Sequence, residues 1–495
     1  MRDTKHFSID EITWNDLDMD AVYDRLNICH SSVGAEILKQ TLTDLLFDEE
    51  ILLNRSEKAD YLSQNKKQEE QLTKVFSALG KTKKVSFLDY IFRLKEIKPA
   101  GNGIHILLII LLLLSIAAIF VKPAVGIVAL VVMVALNIIL YFRYKAPIEP
   151  YFNCVKYLVS MIVAAEKTAK ILNQNATAFT DDAATLKSLV RTFSPVRRGS
   201  WLITNSVSGS LADVIMDYVR MLFHVDLIKF HSMHKFCMEH EEEIRKLYEI
   251  LGGIETSICI AHFRDSLDYY CLPVFQSPDS AFHTEDAYHP LVKNPVANSI
   301  RTQKSVLLTG SNASGKSTFL KMIAINQIFS QTIYTALART FETTFYQVLS
   351  SMALKDNILG EESYFVVEIK SMKRIFDALS MDDPSMIFVD EVLRGTNTRE
   401  RIAASSQILK KLSHENARCF AATHDIELTK LLENDMENYH FTEHISEETG
   451  DVLFDYQIRP GCAVSSNAIK LLKAYGFPSD VVDAASEMAQ KNTQK

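Results

Sequence analysis

Eight residues, Gly310-Ser-Asn-Ala-Ser-Gly315-Lys316-Ser317, restrict the fold of this chain more than any other feature. They fit G-x-x-x-x-G-K-[ST] at every fixed position. They follow the apolar run Val306-Leu307-Leu308 and precede a helix-forming stretch from Thr318. Strand, glycine bend and helix in that order make a loop whose successive backbone N–H groups point at phosphate oxygens. The helix N-terminus adds the positive end of its dipole. Gly310, Ser311, Asn312, Ala313, Ser314, Gly315, Lys316, Ser317 and Thr318 are therefore the candidate binding residues for a nucleoside triphosphate, with ATP expected. In such a loop the lysine, Lys316, reaches the β- and γ-phosphates and the Ser317 hydroxyl ligates Mg²⁺. A chance glycine turn is the alternative, and it would not require the flanking strand and helix.

Two further strand ends supply acids and a histidine. Ser385-Met-Ile-Phe-Val-Asp390-Glu391 places two carboxylates after four apolar residues, about 70 positions beyond the loop. Open α/β sheets bind ligands at the carboxyl ends of their strands. Asp390 is expected to hold Mg²⁺, and Glu391 to polarise the attacking water. Adjacent acids more often cap a helix; their place at a strand end favours catalysis. Phe420-Ala-Ala-Thr423-His424-Asp425 is a third strand running into polar residues, and His424 is expected to sense the γ-phosphate rather than serve only packing. From about residue 280 strands alternate with helices, the pattern of a mostly parallel sheet covered on both faces.

The other constraint lies between residues 100 and 145. Ile106–Val121 has Ser115 as its only polar residue, and Ala124–Phe142 has Asn137 as its only strongly polar one, with Lys122-Pro123 between. A spanning helix needs roughly 20 apolar residues. Pro123 suits the first turn of the second helix. Arg93, Lys95 and Lys98 precede the pair, and Arg143 and Lys145 follow it. Basic flanks on both sides place both ends in the cytoplasm, with Lys122 at the far tip. A re-entrant hairpin, or a buried pair in a soluble core, are the other arrangements. The rest of residues 1–99 and 144–275 reads as amphipathic helix, with Val33, Ile37, Leu38, Leu42, Leu45 and Leu46 at helical spacing. His234–Leu251 reads as one long lever-like helix that Gly252-Gly253 ends.

Composition excludes little else. With 47% apolar and 23% charged residues the chain can bury ordinary cores, and a formal net charge of -8 gives no support to a protein living on phosphate-backbone contacts. The seven cysteines form no CxxC pair, which points to a reducing compartment rather than a disulfide or zinc framework, and Met1–Asp10 lacks the apolar core of a signal peptide.

Together these motifs resemble the MutS family of ATPases. Asp390-Glu-Val-Leu-Arg-Gly-Thr-Asn-Thr-Arg-Glu resembles its DE-x-x-RGT-x-T segment, and Ala422-Thr-His-Asp its ATH segment. Ser363-Tyr-Phe-Val-Val-Glu368 resembles its S-T-F-x-x-E signature, with Tyr364 in place of threonine. His289-Pro290-Leu291 and Asn298 resemble the entry to its ATPase domain, and Gly461, Ser465, Ser466 and Gly476-Phe-Pro478 its C-terminal dimerisation piece. A weaker likeness covers Gly34, Leu38, Leu42, Ile51 and Arg55, and Leu251–Phe275.

The resemblance implies an α/β P-loop NTPase domain of the ABC/MutS type, preceded by an all-α core and lever domain that a transmembrane helical hairpin interrupts. The expected parts are a helical core segment over 1–99, the hairpin over 100–145, a core/lever segment over 146–278 and the ATPase domain over 279–495. It also implies a homodimer through the ATPase domains. Ser363 of one copy would meet the γ-phosphate held by the other, Asn312 would contact phosphate, and Tyr456 would stack on adenine or else serve as a core tyrosine. The family's mismatch-reading and connector domains are expected to be absent, since the helical likeness starts almost at Met1, and no β-rich basic clamp is expected.

The expectation is thus a membrane-anchored, Mg²⁺-dependent ATPase that couples nucleotide state to lever movement, acting on an unknown protein partner or on DNA without mismatch reading. Three alternatives remain in view. A transporter-type ATPase lacks support because one hairpin offers little pore lining and no LSGGQ-like segment is present. A nucleotide-gated membrane scaffold that binds ATP but turns over negligibly is disfavoured because Glu391 and Lys316 are both intact. A DNA repair or recombination ATPase needs a basic surface, and Arg191 with Arg197-Arg198 is the modest cluster on offer, more often a solvated turn.

Overall fold

A computed structural model describes residues 5–82, 101–173, 176–197, 211–311, 314–352, 364–379, 383–393, 397–414, 416–445, 452–462 and 476–493. The chain divides into two compact units. One comprises Met1–Leu26, Lys39–Ser56 and His262–Lys495; the other comprises Asn27–Leu38 and Glu57–Ala261.

Among the described residues, the first unit holds every strand. Strands β1 (His6–Ser8) and β2 (Asp44–Leu46) form a small antiparallel pair. Strands β3 (Val274–Phe275), β4 (Phe282–Ala287), β5 (Asn298–Thr302) and β7 (Thr340–Thr343) form a second sheet, in the order β3-β7-β4-β5. The principal sheet contains β6 (Ser305–Thr309), β8 (Gln347–Ser351), β9 (Ser385–Asp390), β10 (Ala417–Thr423), β11 (Met436–Ile445) and β12 (Val452–Pro460), in the order β12-β11-β6-β10-β9-β8. Five of these strands are mutually parallel, and only β12 runs against its neighbour β11. The unbroken apolar runs in β6, β9 and β10 explain this, because a parallel strand is covered on both faces and has no side for polar residues. On one face Leu307, Ile387, Val389, Cys419 and Ala421 pack with Met372, Ile375, Leu409 and Leu412. On the other face Phe388 stacks on Phe420 at 5.6 Å, and Phe420 meets Phe282 edge-on, which joins the principal sheet to the sheet of β4. Each such fully buried side chain contributes about 2 kcal/mol.

The N-terminal residues are not purely helical, as their periodicity suggested: β1 and β2 are too short to show a two-residue period. Their neighbours also explain why Met1–Leu26 groups with the C-terminal half. Strand β8 is a sheet edge, and an edge carries unpaired N–H groups that invite pairing. The helix Glu11–Asp16 covers it. Thr13 Oγ1 accepts from the Ser350 N–H at 3.1 Å, and the Asp16 carboxylate accepts from the Ser350 hydroxyl at 2.7 Å and the Met352 N–H at 2.9 Å. Arg374 pairs with Asp10 on the same edge.

The second unit is helical in every described element. Helices Gly103–Val121 and Pro123–Lys145 form the expected antiparallel pair and are each long and apolar enough to cross a membrane by length and composition. Only 22% and 17% of their most apolar windows are buried, and Phe120 near the tip is 87% exposed. Gly126 lets the two backbones approach, since a Cβ there would lie 2.3 Å from the Ile119 nitrogen. The flanking Arg93, Lys95 and Lys98 lie outside the described residues.

Two expectations about the lever are corrected. His234–Leu251 is not one helix: Val225–Glu239 ends, and Glu241–Asp265 begins, around His240. The imidazole of His240 packs 4.2 Å from the Phe236 ring and lies 3.4 Å from Glu243, and the new helix opens with Glu241, Glu242 and Glu243, which suit a helix N-terminus. Nor do Gly252-Gly253 end the helix, which continues to Asp265. Gly252 is there for proximity: a Cβ would lie 2.3 Å from Ile37 Cγ1 and 2.9 Å from the Val33 carbonyl oxygen. Likewise a Cβ on Gly34 would meet the Glu255 carboxylate, which accepts from the N–H groups of His30 and Ser31 at 2.6 and 3.1 Å. Gly252→Ala is therefore expected to destabilise the helical unit by about 2 kcal/mol despite alanine's better helix propensity. A chemical-denaturation midpoint equal to or above wild type would contradict this packing.

Candidate active site

Parallel register brings the three sequence motifs to one edge of the principal sheet. Thr423 pairs with Thr309, and Ala422 with Asp390, so the C-terminal ends of β6, β9 and β10 stand side by side. The chain turns outward from β6 to the edge strand β8, returns through β9 and β10, and then crosses to β11 on the other side of β6. That is a switch point of the kind where α/β sheets bind ligands.

The glycine bend leaves β6 through Gly310 at φ 149° and enters the helix Lys316–Thr332 through Gly315 at φ 107°, values that favour glycine. Asn312 and Ala313 lie outside the described residues. Lys316 is buried, and its Nζ donates to the carbonyl oxygens of Gly310 and Ser311, both at 2.8 Å. The ammonium group thus folds over the mouth of the loop. Ser314 is buried with its hydroxyl lacking a partner, an orphan that an anion in the loop would satisfy. The Ser311 hydroxyl donates to Glu443 on β11. Ser317, in the first helical turn, donates to the carboxylate of Asp390 at the end of β9. Two hard oxygen ligands side by side suit a hard cation such as Mg²⁺, which takes few protein ligands and completes its shell with water and phosphate.

Glu391 follows with φ 61°, a left-handed conformation costing about 1–2 kcal/mol for a residue with a Cβ. Its N–H donates to the Ala422 carbonyl at 2.9 Å, which ties this turn to β10. The turn brings the Glu391 carboxylate to 3.3 Å from Nδ1 of His424, which is itself about half exposed. Nε2 of His424 lies 3.7 Å from Asp425. Asp425 is held by Arg401 through two bonds, from Nε at 2.9 Å and from a terminal nitrogen at 2.7 Å. The bonds to Asp425 hold the Arg401 guanidinium above its ordinary pKa although burial opposes it. Sequence reading missed this pair because its members are separated by 24 positions and only Asp425 falls in a motif. Arg401→Ala frees the second carboxylate to attract His424 away from Glu391. If the site hydrolyses ATP, the change is expected to lower kcat about tenfold while changing ATP affinity less than about twofold, read from steady-state kinetics beside equilibrium binding.

Beside the loop is a cavity of about 390 Å³, within the roughly 300–1,000 Å³ of small-molecule sites. Its lining includes His289, Val296, Thr318, Phe319, Phe441 and Tyr456. Tyr456 has φ 56° and is fixed by Asn298, which donates to its carbonyl at 3.0 Å and accepts from the Ile458 N–H at 2.8 Å. The tyrosine ring passes so close to Gly315 that a Cβ there would lie 3.1 Å from Cδ1. His289 is a wall residue that sequence reading placed only at the domain entry. Burial pushes its pKa down to about 4, so it is neutral near pH 7, and Nδ1 accepts from the Leu291 N–H at 3.1 Å. Ser363, Arg394-Gly395-Thr396, Ser465 and Ser466 lie outside the described residues.

Residues 306–493 match a family model described as MutS domain V. The DNA mismatch repair protein MutS of Thermotoga maritima is 28% identical over 272 residues, 53% of this chain and 34% of that protein. The protein of the same name from Natronomonas pharaonis is 29% identical over 273 residues, covering 52% and 31% respectively. MutS protein homolog 4 of Mus musculus is 28% identical over 316 residues, covering 59% and 32%. The chain spans about a third of the length of these curated relatives.

Proposed function

Through its C-terminal domain this chain is a MutS-family protein, and on that premise we propose that it is a membrane-anchored ATPase whose site is completed by a second copy of the chain. One observation carries the reading: a phosphate-type loop, the Ser317–Asp390 pair and the Glu391–His424 pair meet at one sheet edge. Gly310–Ser317 and the helix N-terminus would hold the triphosphate, with Lys316 exchanging loop carbonyls for phosphate oxygens. Ser317 and Asp390 would hold Mg²⁺, which when bound neutralises phosphate charge. Glu391 orients and deprotonates the attacking water. His424 steadies Glu391 and donates to the γ-phosphate. Tyr456 and the cavity beside Gly315 receive the base.

Ser363 of the second copy would approach the γ-phosphate, so ATP tightens the dimer and hydrolysis loosens it. In this reading residues 279–495 are the ATPase domain, and the helical segments within 1–99 and 146–278 transmit its movement. The outward apolar surface of helices Gly103–Val121 and Pro123–Lys145 supports a bilayer anchor, and Arg143 and Lys145 at its base support a cytoplasmic position for the rest.

The relatives' names favour a second reading, mismatch repair on DNA, which the net charge of -8 does not support. A single assay separates them: phosphate release by the purified protein in detergent, with EDTA, and with matched or mismatched duplex added. Turnover is expected to vanish with EDTA and to respond equally to both duplexes. Absence of turnover, or turnover indifferent to EDTA, defeats the ATPase. Stimulation by the mismatched duplex alone moves the function to repair.

A further inference from the structure

We infer that helix Leu211–Phe223 is a second membrane contact, lying in the interface beside the hairpin with one face among the lipid chains. The inference rests on the anchoring reading above and extends it to a segment too short and too charged to be recognised as membrane-seeking. The helix packs against both Gly103–Val121 and Pro123–Lys145. Val214, Ile215 and Tyr218 are 50%, 57% and 60% exposed, and at 100° per residue they share one face. Asp217, half exposed, lies on an adjoining face and accepts at 2.9 Å from Arg220, which is buried. An apolar sector bounded by the hairpin on one side and by paired charges on the other is the profile of a helix lying in the plane of a bilayer surface.

The residues after the helix fix its level. His224 Nδ1 lies 2.9 Å from Nδ1 of His105, and its Nε2 lies 3.1 Å from the Asn137 carbonyl oxygen. The Tyr141 hydroxyl donates to Asp226 at 2.8 Å and accepts from Lys145 at 2.8 Å. These polar groups gather where the first hairpin helix starts and the second ends, opposite the exposed tip at Phe120. Buried polar groups concentrate at the level where hydrocarbon gives way to headgroups, since each would be costly deeper in. Helix Leu211–Phe223 runs into this belt, so its exposed apolar face continues the hairpin's outward surface, and the occupant that covers one covers the other.

The test is photo-crosslinking of the full-length protein in vesicles of phosphatidylethanolamine and phosphatidylglycerol. p-Benzoylphenylalanine replaces Tyr218, or Leu114 in the hairpin, or Leu453 on β12, all three exposed, and adducts are read by mass spectrometry. Lipid adducts at 218 are expected to match those at 114 and to exceed those at 453 by about tenfold. Labelling at 114 with 218 no higher than 453 overturns the inference and leaves the anchor standing. Adducts at 218 to a second copy of the chain also overturn it, since the face is then a protein interface. Absence of lipid adducts at both 114 and 218 removes the anchor and this inference together.

Discussion

Glu391→Gln is expected to reduce ATP turnover about a thousandfold, or about 4 kcal/mol in the barrier, while leaving ATP binding intact. The substitution keeps size and backbone preference, so the left-handed turn at φ 61° and its bond to the Ala422 carbonyl survive. What it removes is the carboxylate 3.3 Å from His424, the group proposed to take a proton from water. On the proposed cycle, in which hydrolysis loosens the dimer, the variant should accumulate with ATP as a species of twice the monomer mass, and revert with ADP. Wild-type turnover in this variant would strip Glu391 of its role. Lost turnover without nucleotide-dependent dimerisation would leave catalysis in place and remove the shared site.

Deleting Ile106–Phe142 is expected to move the protein from the membrane pellet to the supernatant. Each leucine, isoleucine or valine near the middle of a spanning helix contributes about −0.5 kcal/mol to insertion. Two helices together supply on the order of −10 kcal/mol, far beyond what a single interfacial helix retains. The deletion closes the chain between His105 and Arg143, which lie near each other at the base of an antiparallel pair. It also removes Asn137 and Tyr141 from the polar belt, so circular dichroism must first establish that the helical unit remains folded. A folded, non-aggregated variant still in the pellet would contradict the anchor.

What could be read in the sequence was whatever physics makes local. Ser305–Thr309 and Ala417–Thr423 are strands at the expected residues, because apolar runs bounded by glycine or polar residues carry their own boundaries. The helical pair divided at Lys122-Pro123 was legible for the same reason. Partners distant in sequence were not. Nothing in Thr13 or Asp16 announces that they finish the edge of β8. Gly252-Gly253 looks like a helix end until Val33 and Ile37 are seen to occupy the missing side chain's space. At the site the motifs fixed which residues stand at the sheet edge. They could not reveal the positive φ of Glu391 and Tyr456, the Arg401–Asp425 clamp or the place of His289 in the cavity wall. Each depends on a tertiary contact with no sequence period.

The measurement closest to the central claim is equilibrium titration of a fluorescent ATP analogue into the purified protein, with and without Mg²⁺, beside Lys316→Ala. The wild type should saturate in the presence of Mg²⁺, and the variant should bind at least about a hundredfold more weakly, since it loses the cation proposed to contact phosphate. A wild type that takes up no nucleotide, or a variant that binds as tightly as wild type, would contradict a triphosphate held by the Gly310–Ser317 loop.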